Sequence, residues 1–187
     1  MRIEKLKISD FDKLLALQEK HIVNNLTPEQ QAAQGFVTTR FTVDLLTELH
    51  REGCSFVLYD GTRLGAYAFG ATNNFFRQWE LSNYMIERFS ESSTPKEISG
   101  TRITPENSFM YGPVCIDNDF RGHGVLKLLF DAVSAEGVGK YKFVTTFINE
   151  RNKISLAAHK KQTPLIHFDT FDFNNNTYYS FATRCEL

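Results

Sequence analysis

The chain is poor in cysteine and has no long apolar run. Its three cysteines, Cys54, Cys115 and Cys185, are odd in number and stand far apart. They show no metal-ligand pairing and no disulfide framework, which fits a reducing compartment. No apolar stretch approaches the ~18 residues of a membrane-crossing helix. The opening residues, MRIEKLKISDFDKLL, lack the apolar centre and small-residue cleavage site of a signal peptide, so a cytoplasmic protein is expected. An excess of one charge is missing too. With 21 Lys and Arg against 22 Asp and Glu the net charge is −1, and neither nucleic acid nor a membrane surface is an expected partner. No internal repeat, low-complexity segment or dividing linker stands out.

What is present suits one core. A chain of 187 residues, 42% hydrophobic and 23% charged, reads as a single domain over 1–187. Arg2 to Lys7 alternates charged and apolar residues, as a strand does. Ser9 then stands where it could cap a helix whose stripe is Phe11, Leu14, Leu15 and Ile22. Thr27-Pro28 opens a short helix that stops at Gly35. FTVDLLTELHREG predicts another, capped by Thr42 and ended by Gly53, with Leu45, Leu46 and Leu49 inward. SFVLYDGTRLGAYAFG predicts a hairpin at Asp60-Gly61.

A helix and loop insertion follows at about 72–107. Its FFRQWELSNYMIERF part is expected to be partly helical, and SESSTPKEISGTRITPEN an irregular loop. A loop of that length is usually functional or mobile, and a cover on the substrate side is the expectation. SFMYGPVCID is a strand interrupted by Gly112-Pro113, where proline cannot donate to a sheet ladder, so the strand lies at an edge or bends from its neighbour. A helix from about Gly122 is expected to bury Val125, Leu128, Leu129, Ala132 and Val133. KFVTTFI is a buried strand, NKISLAAHKK a helix, and two last strands flank Asn174–Asn176.

The stretch DNDFRGHGVLKLLF carries the functional signal. Two glycines opening a helix suit an anion, because first-turn N–H groups lack partners and the helix dipole adds positive potential there. Gly122 and Gly124 remove the side chains that would hold a phosphate off, and Arg121 adds a fork of donors. A nucleotide P-loop would need Gly-Lys-Ser/Thr, where the chain has Gly124-Val125-Leu126. A dinucleotide loop would need glycine at position 127, which is Lys127.

The stretch PVCIDNDFRGHGVLKLLFDAV resembles the acetyl-CoA-binding motif of the GNAT N-acetyltransferase superfamily, Arg/Gln-x-x-Gly-x-Gly/Ala between a strand and a helix. Arg121 and Gly124 match its fixed positions, and Leu126 departs from its last. NKISLAAHKK, with Asn152, Ser155 and His159, is similar to the family's Asn-x-x-Ser-x-x-x-His helix. The usual Gly-Phe after it is replaced by Thr163-Pro164. LTPEQQAAQGFVTTRFTVDLL resembles more loosely the N-terminal helical pair of one branch.

The resemblance implies an α/β (α+β) fold. Its mixed, mostly antiparallel central sheet would carry helices on both faces and splay at the central strands. It implies an N-acetyltransferase that moves an acetyl group from acetyl-CoA directly to a primary amine of a small molecule or peptide, without a metal. The backbone of Val114, Cys115 and Ile116 would face the pantetheine arm. Arg121, Gly122, His123, Gly124, Val125 and Leu126 would hold the pyrophosphate, with Asn152 and Ser155 as further contacts. His159 is the candidate proton donor to the coenzyme's sulfur; the competing account is a surface helix histidine beside Lys160 and Lys161.

Glu80, Glu87 and Asp117 are the candidate general bases. Tyr111 is either a pocket or a core residue, and Cys115 is read as structural rather than nucleophilic. The alternative to an enzyme is a non-catalytic acyl-CoA-binding or regulatory module. A C-terminal edge strand could pair in a homodimer.

Overall fold

The computed structural model describes residues 1–89, 91 and 96–186; the expected loop at 90 and 92–95 lies outside them. Arg2–Lys5 forms β1, and a 3-10 turn at Ile8–Asp10 leads into α1, Phe11–His21. Ser9 does not cap that helix. It lies inside the turn, and the capping bond runs from the Lys7 N–H to the Asp10 carboxylate at 2.8 Å. In α2, Pro28–Gln34, the Thr27 hydroxyl accepts from the Gln30 N–H, and the Gln30 side chain accepts from the Thr27 N–H. α3, Val43–Glu52, buries Leu46 and Leu49 fully and Leu45 in part.

β2, Phe56–Asp60, and β3, Arg63–Thr72, form the hairpin. Asp60 already pairs with Arg63, so Gly61 and Thr62 make its turn. The insertion contains α4, Asn73–Phe76, and α5, Glu80–Arg88. It also holds a minimal hairpin where irregular loop was expected: β4, Glu97–Ile98, against β5, Thr101–Arg102. Then come β6, Ser108–Ile116, α6, Val125–Ala135, β7, Phe143–Asn149, α7, Lys153–Gln162, β8, Ile166–Phe173, and β9, Asn176–Arg184. The last two join through Asn174 and Asn175, both at positive φ, the backbone that a tight hairpin turn demands.

Among the described residues, seven strands form one sheet in the order β1-β2-β3-β6-β7-β9-β8. Every neighbouring pair is antiparallel except β6 and β7. Alternation along β3 feeds a core on each face. Tyr67, Phe69 and Ala71 pack with the cluster that includes Leu14, Leu46 and Met85, while Ala66 and Ala68 pack with the cluster around α6. The buried stripe of α6 is rotated from the expected one. Leu128 is 46% exposed, whereas Leu126 and Phe130 are buried. Both stripes share Val125, Leu129 and Val133, so periodicity alone cannot choose the edge; docking on the sheet does.

β6 and β7 pair only from Ser108 to Met110. Beyond that point β6 stays with β3 as far as Ile116, and β7 stays with β9 as far as Asn149. Pro113, with no N–H to share, stands just past the last common pair. The sheet therefore opens at its centre. The insertion is tied to the far side by charge: Asp169 of β8 accepts from Arg88 of α5 at 2.8 and 3.1 Å and from Lys96 at 2.8 Å.

Candidate active site

The opening between β6 and β7 is lined by unpaired backbone. The Asp117 N–H bonds the Gly65 carbonyl at 2.9 Å, and hydrogen-bonded pairs alternate along an antiparallel ladder. Cys115 thus bonds across to Tyr67, while Val114 and Ile116 turn their N–H and C=O groups away from β3, into the gap. The Ile116 carbonyl agrees with that direction, since it accepts from the Arg121 side chain. Free N–H groups in the cleft belong to Val114 and Ile116 rather than to Cys115.

The head of the cleft is the loop into α6. Gly124 caps the helix at a φ of 71° and Gly122 stands at 80°. A β-carbon on either would meet nothing within 4 Å, so the loop backbone faces open space. The first-turn N–H groups of Val125, Leu126 and Lys127 point out with it. Arg121 lines the same cavity, but much of its fork is committed. It donates to the Ile116 carbonyl through Nε and Nη2 at 3.1 Å each, and to the Gln34 carbonyl through Nη1 at 2.7 Å. Its side chain ties the loop to β6 and to the end of α2. Leu126 is buried in the wall, and a cavity of about 280 Å³ remains beside it. The His123 side chain is exposed and lies off that wall.

α7 supplies the other side. The Asn152 side chain accepts from the Ser155 N–H at 3.3 Å and donates to the Phe36 carbonyl at 2.9 Å, joining α7 to the segment after α2. His159 is 4% exposed, which excludes the surface-histidine account. Its Nδ1 lies 2.8 Å from the Ser155 carbonyl. A carbonyl only accepts, so Nδ1 carries the proton and Nε2 the lone pair. Nε2 is buried and has no hydrogen-bond partner. Burial, against the bond to Ser155, pushes the ring's pKa down and keeps it neutral. The expected donor thus rests in a tautomer that offers a proton acceptor.

Solved structures share this architecture end to end. One is a ribosomal-protein-alanine N-acetyltransferase of Brucella melitensis (TM-score 0.63, 17% identity, 98% of this chain and 99% of that one). Another is an acetyltransferase of the GNAT family from Streptococcus pneumoniae (0.59, 10%, 98% of each). This is the GNAT acetyltransferase fold. The Salmonella typhimurium protein yncA, solved with its cofactor acetyl-CoA, is similar over 100% of this chain and 95% of its own (0.63, 10%). No family model matches the sequence, and no curated protein matches it.

In this GNAT fold a second cavity, of about 110 Å³, opens on the other side of the split. Both cavities are walled by Phe36, Val114, Asn152, Ser155 and His159, so they meet beside α7 at these residues. Tyr111 lines the second one, edge-on to His159 with ring centres 5.8 Å apart, and its buried hydroxyl has no partner. Of the insertion's aromatics, Phe76 and Trp79 reach this cavity; Phe75 packs behind Trp79, and Tyr84 lies against Phe171 and Phe173.

None of the three candidate carboxylates reaches either cavity. Glu80 and Glu87 are exposed. Asp117 is engaged by Arg63 at 3.1 Å and Lys20 at 3.5 Å. Burial works to raise its pKa, and those two cations outweigh that and hold it below the usual value. Cys115 is buried, and burial pushes its thiol up to about 12, far from a thiolate nucleophile.

Sequence reasoning missed His21, Gln34 and the segment 35–39, all of which wall the cleft. The available signal was Gly35 closing one helix, with apolar Phe36-Val37 before the next cap. A β-carbon on Gly35 would come 2.8 Å from Asn152 Oδ1, so only glycine lets this segment approach α7. Among the described residues, no cluster of three or more His, Cys, Asp or Glu could hold a metal, and no helix is long and apolar enough to cross a membrane.

Proposed function

We propose that the protein is an N-acetyltransferase that moves an acetyl group from acetyl-CoA directly to a primary amine. The observation that carries this reading is His159, a residue shared by the walls of two cavities, whose buried Nε2 has no partner. One cavity is built for a pantetheine diphosphate and the other is open to an acceptor. The N–H groups of Val125 to Lys127, with the backbone of Gly122 and Gly124, suit a diphosphate. The strand edge at Val114 and Ile116 suits the amide-bearing arm, which would pair there as an added strand. The likeness to yncA, solved with acetyl-CoA, supports the same assignment.

Acetyl-CoA supplies the activated acetyl group. The chain holds that thioester where Val114 N–H or Ile116 N–H can donate to the oxygen as it gains charge. The amine lone pair forms the C–N bond, and the C–S bond breaks with its pair on sulfur. His159 Nε2 accepts the proton the amine loses and returns it to the departing sulfur, leaving an N-acetylated amine and free CoA thiol. The high thiol pKa of Cys115 disfavours an acyl-enzyme, so transfer is direct.

The test is CoA binding by calorimetry together with thiol release from acetyl-CoA. His159→Phe is expected to bind CoA as the wild type does and to lose about 10²-fold or more in kcat. Because burial lowers the His159 pKa, the wild-type rate is expected to fall with acid only below the ordinary histidine value of ~6.5. The variant is expected to lack that limb. CoA binding with no thiol release from any amine would assign the cleft to a non-catalytic acyl-CoA module instead.

A further inference from the structure

We infer that the acceptor is a compact aromatic amine of low basicity, taken up as the uncharged base into the pocket framed by Trp79, Phe76, Phe147 and Tyr178. The inference rests on the acetyl-transfer reading and specifies its second substrate.

The walls are the first ground. Seven of the twenty lining residues carry aromatic rings, and the polar groups that join them, such as Thr38, Thr39, Thr146 and Asn149, are all uncharged. Among the described residues lining this pocket there is no Asp, Glu, Lys or Arg. An ammonium entering it would give up its water without meeting a counter-charge. Cation–π attraction to the rings of the wall is smaller than that loss. A polyamine, or an amino acid carrying a carboxylate, would bring charges that nothing here answers. The volume of about 110 Å³ suits one ring rather than an extended chain.

The second ground is the proton. The titratable side chains on this pocket are His159, Tyr111 and Tyr178, and no carboxylate stands by to share the proton. Ser155 from its own helix and Tyr111 from β6 are the groups that face the His159 ring. An aliphatic amine with a pKa like that of lysine, ~10.4, is free base in about one molecule in a few thousand at neutral pH. An aromatic amine arrives with its lone pair already free. It needs a proton acceptor only once the C–N bond has begun to form, which is the moment the neutral imidazole serves. The proton then passes from nitrogen through Nε2 to the thiolate released by C–S cleavage, so charge and atoms balance.

Trp79 is the only tryptophan of the chain, so its fluorescence reports occupancy of this pocket. Titration of the CoA-bound protein with aniline is expected to give a saturable change, and spermidine none. Thiol release from acetyl-CoA is expected to show a kcat/KM for aniline about ten-fold or more above that for spermidine or glycinamide. Thr39→Asp, which sets a carboxylate in the wall, is expected to move preference about ten-fold toward benzylamine, a cation at the same pH.

Transfer to spermidine or glycinamide faster than to aniline would overturn the substrate class while leaving acetyl transfer standing. A saturable Trp79 response to aniline without any thiol release would remove the transfer reading and uphold the pocket's preference for aromatic amines. No Trp79 response to aniline would overturn the inference outright.

Discussion

Asp169→Asn is the sharpest test of how the aromatic wall is held in place. The Asp169 carboxylate is 10% exposed and accepts from Arg88, 18% exposed, and Lys96, 8% exposed, with contacts of 2.8 Å to each. Arg88 ends the helix that Trp79 begins, so this one anion pins the insertion to β8. Neutralising it strips Lys96 of the carboxylate it meets at 2.8 Å and leaves Arg88 only the exposed Glu91, 3.6 Å away, a loss of about 3–5 kcal/mol. For a chain of this size each kcal/mol lowers Tm by about 2–4 °C, so a fall of ~6–20 °C is expected.

Burial works to raise the Asp169 pKa, but Arg88 and Lys96 outweigh it and the carboxyl sits below its ordinary value. Its stabilisation is therefore complete above the unfolded carboxyl value of ~3.9 and fades as pH falls through the lower folded one. Urea unfolding at pH 7, followed by circular dichroism, should separate wild type and variant, and the two should converge only below about pH 4. Replacing all three side chains by apolar ones of similar volume should recover most of the loss. A loss under about 1 kcal/mol at pH 7 would refute the argument, because it is what an exposed ion pair gives.

Two further outcomes follow from buried contacts. Gly35→Ala places a β-carbon 2.8 Å from Asn152 Oδ1 on a backbone at φ 70° and ψ −176°, a region left almost wholly to glycine. A cost of about 1–3 kcal/mol is expected in thermal or urea unfolding, and an unchanged stability would refute the close packing of this segment on α7. All three cysteines are buried, with burial raising the thiol of Cys115 to about 12, that of Cys185 to about 11 and that of Cys54 above its ordinary value. The native protein at pH 8 should resist iodoacetamide and take it up at all three sites in urea, read by mass spectrometry. Prompt native labelling of Cys115 would undo the case for direct transfer.

Local chemistry was legible in the chain. Thr27, Pro28 and Gln30 specify where α2 begins, because the cap needs only neighbouring residues. Asn174 and Asn175 specify a tight turn for the same reason. The run from Arg121 to Gly124 announces a glycine turn into a helix, through backbone freedom that no distant contact supplies. Ser9 and Leu128 were misread because a turn and a helix face were settled by what packs on them.

The arrangement of the cleft was decided only by tertiary structure. Pro113 marks a bend, yet which strand departs from which depends on the register of β6 against both β3 and β7. Arg121 reads as a free fork until folding brings up the carbonyls of Ile116 and Gln34. His159 reads as a helix histidine beside two lysines, and becomes a buried lone pair only when α7 closes over the gap in the sheet. Caps and turns are set within a few residues of chain, whereas a cleft is the space left between segments far apart in sequence, and its shape and polarity exist only once they have packed.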